Sequence, residues 1–187
     1  MINKFFYKSI ILIIISILIT SCGKNMKPED FKDQKPRLII EEYLSGNVKA
    51  WGILQNRSGK VTRQFSADLN GAWDGKQLIL DEKFNWSDGE IQTRQWIINK
   101  IDDHNYEGTA GDVVGTAKGY SYGPAFKFEY VLLVPVKGRE LKITFDDWIF
   151  MQDERVAINR ATMTKFGIKV AELTVLSLIH ISEPTRR

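Results

Sequence analysis

The chain has 187 residues, 43% of them apolar, which is enough for a single core of ordinary size. One cysteine and two histidines exclude a disulfide framework and leave too few ligands for a zinc site of several His and Cys. The formal charge of +3 is small, and no Lys/Arg cluster supports nucleic-acid binding.

In chain order, the first element is a secretory signal over 1–21. Lys4 and Lys8 form a positive n-region, Ile10 to Ile19 form an apolar run, and Thr20 and Ser21 lead into Cys22. The run is well under the roughly 20 residues that span a bilayer, so a permanent transmembrane helix is not expected. Ile19-Thr20-Ser21-Cys22 resembles the lipobox of bacterial lipoproteins. That resemblance implies cleavage before Cys22, lipidation of its thiol and stable multi-chain anchoring in a membrane. Gly23 after the cysteine points, on the same resemblance, to the periplasmic face of the outer membrane.

Residues 22–37 are polar, contain two prolines and lack periodicity, which predicts a flexible tether. Leu38 to Leu44 is expected to form a short helical turn closed by Gly46. From there the pattern is β throughout. Val61, Arg63, Phe65, Ala67 and Leu69 alternate with Thr62, Gln64, Ser66, Asp68 and Asn70. Phe126, Phe128, Tyr130, Leu132 and Val134 share one face, as do Leu141, Ile143, Phe145, Asp147 and Ile149. Ser58-Gly59, Asp74-Gly75, Asp88-Gly89 and Lys137-Gly138 supply tight turns between them.

Strands are predicted at 47–56, 60–72, 76–86, 90–101, 105–110, 113–122, 125–136, 139–151, 156–165 and 168–175. Short hairpin links make neighbours antiparallel, and a long meander hides its edges by closing. The predicted class is therefore all-β, an up-and-down barrel of about ten strands over 38–175, with two stacked sheets as the alternative. Glycines 108, 111, 115, 119 and 123 do not fit a nucleotide-binding fingerprint and are read as bends in the wall. Leu176 to Arg186 reads LSLIHISEPTR, which matches a translated transposase sequencing adaptor. On that reading 176–187 is an artefact outside the fold. Without both ends the stretch from Cys22 to Val175 is formally neutral, and His104 is its sole histidine.

Catalytic constellations are thin. His104 sits in Asp102-Asp103-His104-Asn105, a turn composition, and has no second histidine or free thiol to work with. Asp146 and Asp147 are adjacent on a strand and point to opposite faces, so they cannot act together on one atom. The expectation is a non-enzymatic protein without metal or cofactor. Charged residues in phase with apolar ones stand out more: Arg63 with Val61 and Phe65, Asp147 with Phe145 and Ile149, and Arg160 with Val156 and Ile158. Buried charges must be paired. Two readings stay open, an internal ion-pair network, or a head-group site in which Arg63 or Arg160 receives a carboxylate or phosphate. Trp51 and Trp148 are candidates for lining the cavity beside them, with core packing as the alternative.

The segments WGILQNRSGKVTRQF (51–65), GAWDG (71–75), GTAGDVVGTAKG (108–119), FDDWIF (145–150) and NRATMTKFG (159–167) together resemble an uncharacterised family of Gram-negative lipoproteins, a domain of unknown function. The resemblance runs from about Glu42 to Leu173. It implies a lipocalin-like barrel of the calycin type and a gene neighbourhood of fatty-acid modification, with no established activity. Its motif positions here are Arg57, Gly59, Arg63, Asp112, Asp146, Asp147, Trp148, Asn159 and Arg160. The function expected from all of this is binding of a hydrophobic or amphiphilic ligand such as a fatty acid. The alternative is a structural or interaction module of the outer membrane with a filled barrel. An enzyme using Asp112 with Asp147 at the barrel mouth is a further, weaker option.

Overall fold

A computed structural model describes residues 26–136 and 138–179. The signal, the lipobox with Cys22, and 180–187 lie outside the described residues. A 3-10 turn, Pro28–Phe31, and a one-turn helix α1, Ile40–Tyr43, precede ten strands. These are β1 Gly46–Asn56, β2 Val61–Trp73, β3 Gln77–Trp86, β4 Ile91–Lys100, β5 Asn105–Ala110, β6 Ala117–Tyr122, β7 Ala125–Val136, β8 Arg139–Met151, β9 Val156–Lys165 and β10 Ile168–Ile179.

Every strand pairs antiparallel with its sequence neighbours, and β1 pairs with β10 as well as β2. Val48 thus faces Leu69 on one side and Ile179 on the other. The result is a closed up-and-down barrel, consistent with the expected lipocalin-like class. Its hydrogen-bonded ring is complete within the described residues. Turn glycines 59, 75, 89, 138 and 167 all take positive φ, the conformation that tight hairpins demand.

Two strand boundaries differ most from the sequence pattern. The strand expected over 113–122 begins only at Ala117, because Gly115 adopts φ +77 and breaks it. Residues 111–116 instead form a loop pinned to β7 by a Val113–Leu132 bridge and a Leu133 N–H bond to the Asp112 carbonyl of 2.9 Å. At the far end the barrel does not stop at Val175. Leu176, Ser177, Leu178 and Ile179 extend β10 and pair with Trp51, Ala50, Lys49 and Val48, since Leu-Ser-Leu-Ile fills the last rungs of the β1 ladder.

The segment expected to be a free tether is also largely docked. Phe31 packs on the outer wall against Trp148 and Phe150, with ring centroids 6.1 and 5.4 Å apart. The chain then turns over one end of the barrel, where Leu38, Ile40, Tyr43 and Leu44 plug the opening. Polar contacts fix this plug: the Tyr43 hydroxyl shares a hydrogen bond with the Ser177 hydroxyl (2.8 Å), and Lys100 and Tyr106 donate to buried Glu41 at 2.7 and 2.9 Å. Two glycines make room for it. A Cβ on Gly71 would lie 1.9 Å from the Leu44 carbonyl oxygen, and one on Gly123 would lie 1.9 Å from that of Phe31.

The plugged end carries the links 74–76, 101–104, 123–124 and 152–155. At the opposite end are the links 57–60, 87–90, 111–116 and 166–167 and the turn at Gly138, around an open mouth. Inside, β7 lays an aromatic column along the wall. Phe126, Phe128 and Tyr130 follow one another at 5.5 and 5.4 Å, with Trp96 against Phe128 and Phe145 stacked on Tyr130.

Candidate functional site

Strand alternation decides which side chains enter the barrel. On β3 the inward set is Leu78, Leu80, Glu82, Phe84 and Trp86; on β4 it is Gln92, Arg94, Trp96 and Ile98. Glu82 and Arg94 are directly paired residues of the two strands. Together with Asp112, Tyr130, Asp147 and Asn159 they form a polar layer across an otherwise apolar interior.

Arg94 holds this layer on one side. Its Nε is 3.0 Å from one Asp112 carboxylate oxygen and its Nη2 is 2.8 Å from the other, a two-pronged ion pair. Its Nη1 lies 3.6 Å from a Glu82 oxygen, an ion pair too long for a hydrogen bond. That Glu82 oxygen is buried and has no hydrogen-bond partner among the described residues. Burial pushes the Glu82 carboxyl up to about 7, against the attraction of Arg94. Burial also works against the charge on Arg94, but hydrogen bonds to Asp112 and the field of Glu82 outweigh it and raise its pKa.

On the opposite wall the Tyr130 hydroxyl donates to Asp147 at 2.9 Å, and the Asn159 side-chain amide donates to the other Asp147 oxygen. Burial pushes Asp147 up to about 6, with both hydrogen bonds opposing the shift. Burial and the Asp147 charge in turn raise the Tyr130 phenol well above its ordinary range. The layer therefore sets three carboxyls, on Glu82, Asp112 and Asp147, against one guanidinium. It favours a hydrogen-bond donor or a proton over a further anion.

Two adjacent cavities meet at this layer and share Phe65, Phe84, Arg94, Tyr130 and Leu173 in their walls. The inner one, of about 150 Å³, reaches down to the plug and touches Glu82, Asp147 and Asn159 among Leu80, Trp96 and Phe128. The outer one, of about 210 Å³, opens toward the mouth beside Arg63, Trp86, Asp112 and Val134. Together they reach the lower end of the range usual for small-molecule sites.

The structure distributes the sequence candidates unevenly. Asp147 points inward and Asp146 points out to solvent, 3.5 Å from Lys127. Arg63 points inward at the mouth, where Asp88 (2.7 Å), Glu90 (2.8 Å) and the face of Trp86 (4.1 Å) hold its guanidinium while its Nε is buried without a hydrogen-bond partner among the described residues. Three candidates are corrected. Arg160 is on the outer face, 62% exposed and paired with Glu172, because β9 turns Ala157, Asn159 and Ala161 inward rather than Val156 and Ile158. Trp51 is also outside and 43% exposed, since its neighbours Ala50 and Gly52 are the inward residues of β1. Trp148 is buried, but against the outer wall: Phe31 and Phe150 cover it and Lys127 lies 5.4 Å from its ring.

Glu82, Arg94 and Tyr130 escaped the sequence reading. The criterion applied to Arg63, a charge in phase with apolar neighbours, also selects Glu82 between Leu80 and Phe84. His104 is a turn residue whose ring stacks on Tyr122 at 4.1 Å and whose Nδ1 lies 2.8 Å from the Ser121 carbonyl oxygen. Among the described residues no group of three or more His, Cys, Asp or Glu is placed to hold a metal ion.

A model of a family described as "Protein of unknown function (DUF3833)" matches residues 16–178. The chain belongs to that family. The match spans the plug and all ten strands of this DUF3833 barrel, ending within β10. No curated protein matches the chain.

Proposed function

We propose that this DUF3833 protein is a lipid-anchored envelope lipoprotein whose barrel binds a small amphiphile, tail among the inner aromatic and aliphatic side chains and head at the Glu82–Asp147 layer. The observation that carries the reading is an apolar cavity next to a buried Glu82 oxygen without a hydrogen bond. A buried acceptor left unpaired is costly, and a ligand hydroxyl, amide or protonated acid removes that cost. A bare carboxylate head is disfavoured by the same three carboxyls. A fatty acid therefore enters as the neutral acid, and a fatty alcohol or monoacylglycerol enters without regard to its own ionisation. The lipobox at Cys22 supports the anchor and the placement at the periplasmic face of the outer membrane.

The test is native mass spectrometry with organic extraction on the chain from Met26 onward, alongside uptake of a fluorescent fatty acid and a fluorescent fatty alcohol between pH 5 and 8. Both probes are expected to bind at pH 5. Fatty-acid uptake is expected to fall above pH 7 while alcohol uptake falls less. No extracted lipid together with no uptake of either probe defeats the reading. Ala67→Leu, which pushes a larger side chain into the inner cavity from a fully buried wall position, is expected to abolish uptake with the barrel intact.

A further inference from the structure

The open rim has a composition the interior does not explain. Val61, Ile91, Val136, Phe166 and Ile168 are all exposed, and they sit on four of the five hairpin ends around the mouth. Ile91 is 64% exposed and Phe166 is 92% exposed. Phe166 is also the first residue of the two-residue link between Lys165 and Ile168, with φ +52 followed by Gly167 at +75. That conformation suits Asn, Asp or Gly and disfavours a bulky aromatic. Neither burial nor turn chemistry accounts for a phenylalanine there.

Cations lie between these apolar tips. Arg57, Lys60, Arg139 and Lys165 belong to the same hairpin ends and make no ion pair among the described residues. The Lys165 ammonium lies 4.9 Å from the Phe166 ring centroid. Of the rim acids, Asp88, Glu90 and Glu172 are engaged by Arg63, Arg160 and Lys169, which leaves the exposed Glu140 as a single unpaired carboxylate among four unpaired cations within the described residues. Separate apolar tips with free cations between them match an anionic bilayer surface: the tips enter the head-group zone and the cations meet lipid phosphates. A flat protein partner asks instead for one contiguous apolar area.

We propose that the open rim docks on an anionic lipid bilayer, Phe166 inserting and the surrounding lysines and arginines holding the mouth against the surface. This contact is independent of what occupies the cavity, and it places the opening where an amphiphile could pass without crossing water. The experiment is co-sedimentation of the chain from Met26 onward with phosphatidylcholine vesicles and with vesicles of equal parts phosphatidylcholine and phosphatidylglycerol. Binding to the mixed vesicles, weaker binding to the neutral ones, and loss in raised salt are expected. Phe166→Asn suits the turn and keeps the fold, which thermal melting verifies, and it is expected to weaken binding by about tenfold or more. Lys165→Glu is expected to weaken it too, and Ala67→Leu is expected to leave it unchanged. Failure of the native chain to sediment, equal binding by Phe166→Asn, or self-association in place of vesicle binding overturns the proposal.

Discussion

Replacing Glu82 with Gln isolates the energetic consequence of the internal carboxyl. Burial raises the folded-state pKa from 4.5 to about 7, so the folded protein binds the Glu82 proton more tightly than the unfolded chain does. Stability from this group is therefore greatest below the unfolded value and declines as pH rises through the folded one. Integrating between pH 5 and 8 gives a loss of about 2–3 kcal/mol that the Gln variant does not suffer. Urea denaturation of both proteins across that range reads the difference directly. The native protein is expected to lose stability relative to Glu82→Gln as pH rises, with most of the change between pH 5 and 7. A constant difference refutes the reasoning: the Glu82 carboxyl would then be as well solvated in the folded state as in the unfolded one.

Other outcomes follow from the same geometry. Arg94→Met leaves Asp112 and Glu82 without their cation, and the expected cost is about 3–5 kcal/mol by urea denaturation at pH 8; a loss below 1 kcal/mol, by the same scale roughly that of a surface ion pair, contradicts the buried network. Gly71→Ala drives a methyl group into the Leu44 carbonyl and is expected to loosen the plug at about 1–3 kcal/mol, read as faster amide exchange over 38–44. Tyr130→Phe removes a hydrogen bond that favours ionised Asp147, so the Asp147 carboxyl resonance is expected to titrate above its present value of about 6. No upward movement there means that the phenol does not hold that carboxylate.

The strand order was legible because turn and alternation agreed. Asp74-Gly75, Asp88-Gly89 and Lys137-Gly138 end strands whose boundaries fall within a residue or so of those expected from sequence. Side-chain phase was harder where both faces of a strand carry apolar groups. On β9, Val156 and Ile158 suggest one interior and Ala157 and Ala161 another; the small residues are the ones that face in, and both alanines are fully buried. Trp148 misled for a different reason, since its burial comes from Phe31, a contact between segments more than a hundred positions apart. Asp147 was clear between Phe145 and Ile149. Glu82 was masked by Asp81 and Lys83, which put charges in both phases of β3. The pairing of Arg94 with Asp112 depends on how the 111–116 loop leans on β7, and periodicity carries no record of that.

The interior site is tested most directly by photolabelling. A fatty alcohol bearing a diazirine along its chain is irradiated with the protein, and the adducts are located by peptide mass spectrometry. Labels on inward residues such as Leu80, Trp96 and Phe128, abolished by Ala67→Leu, are the predicted result. Labels confined to the outer wall or the rim, or unchanged in that variant, would contradict a ligand inside the barrel.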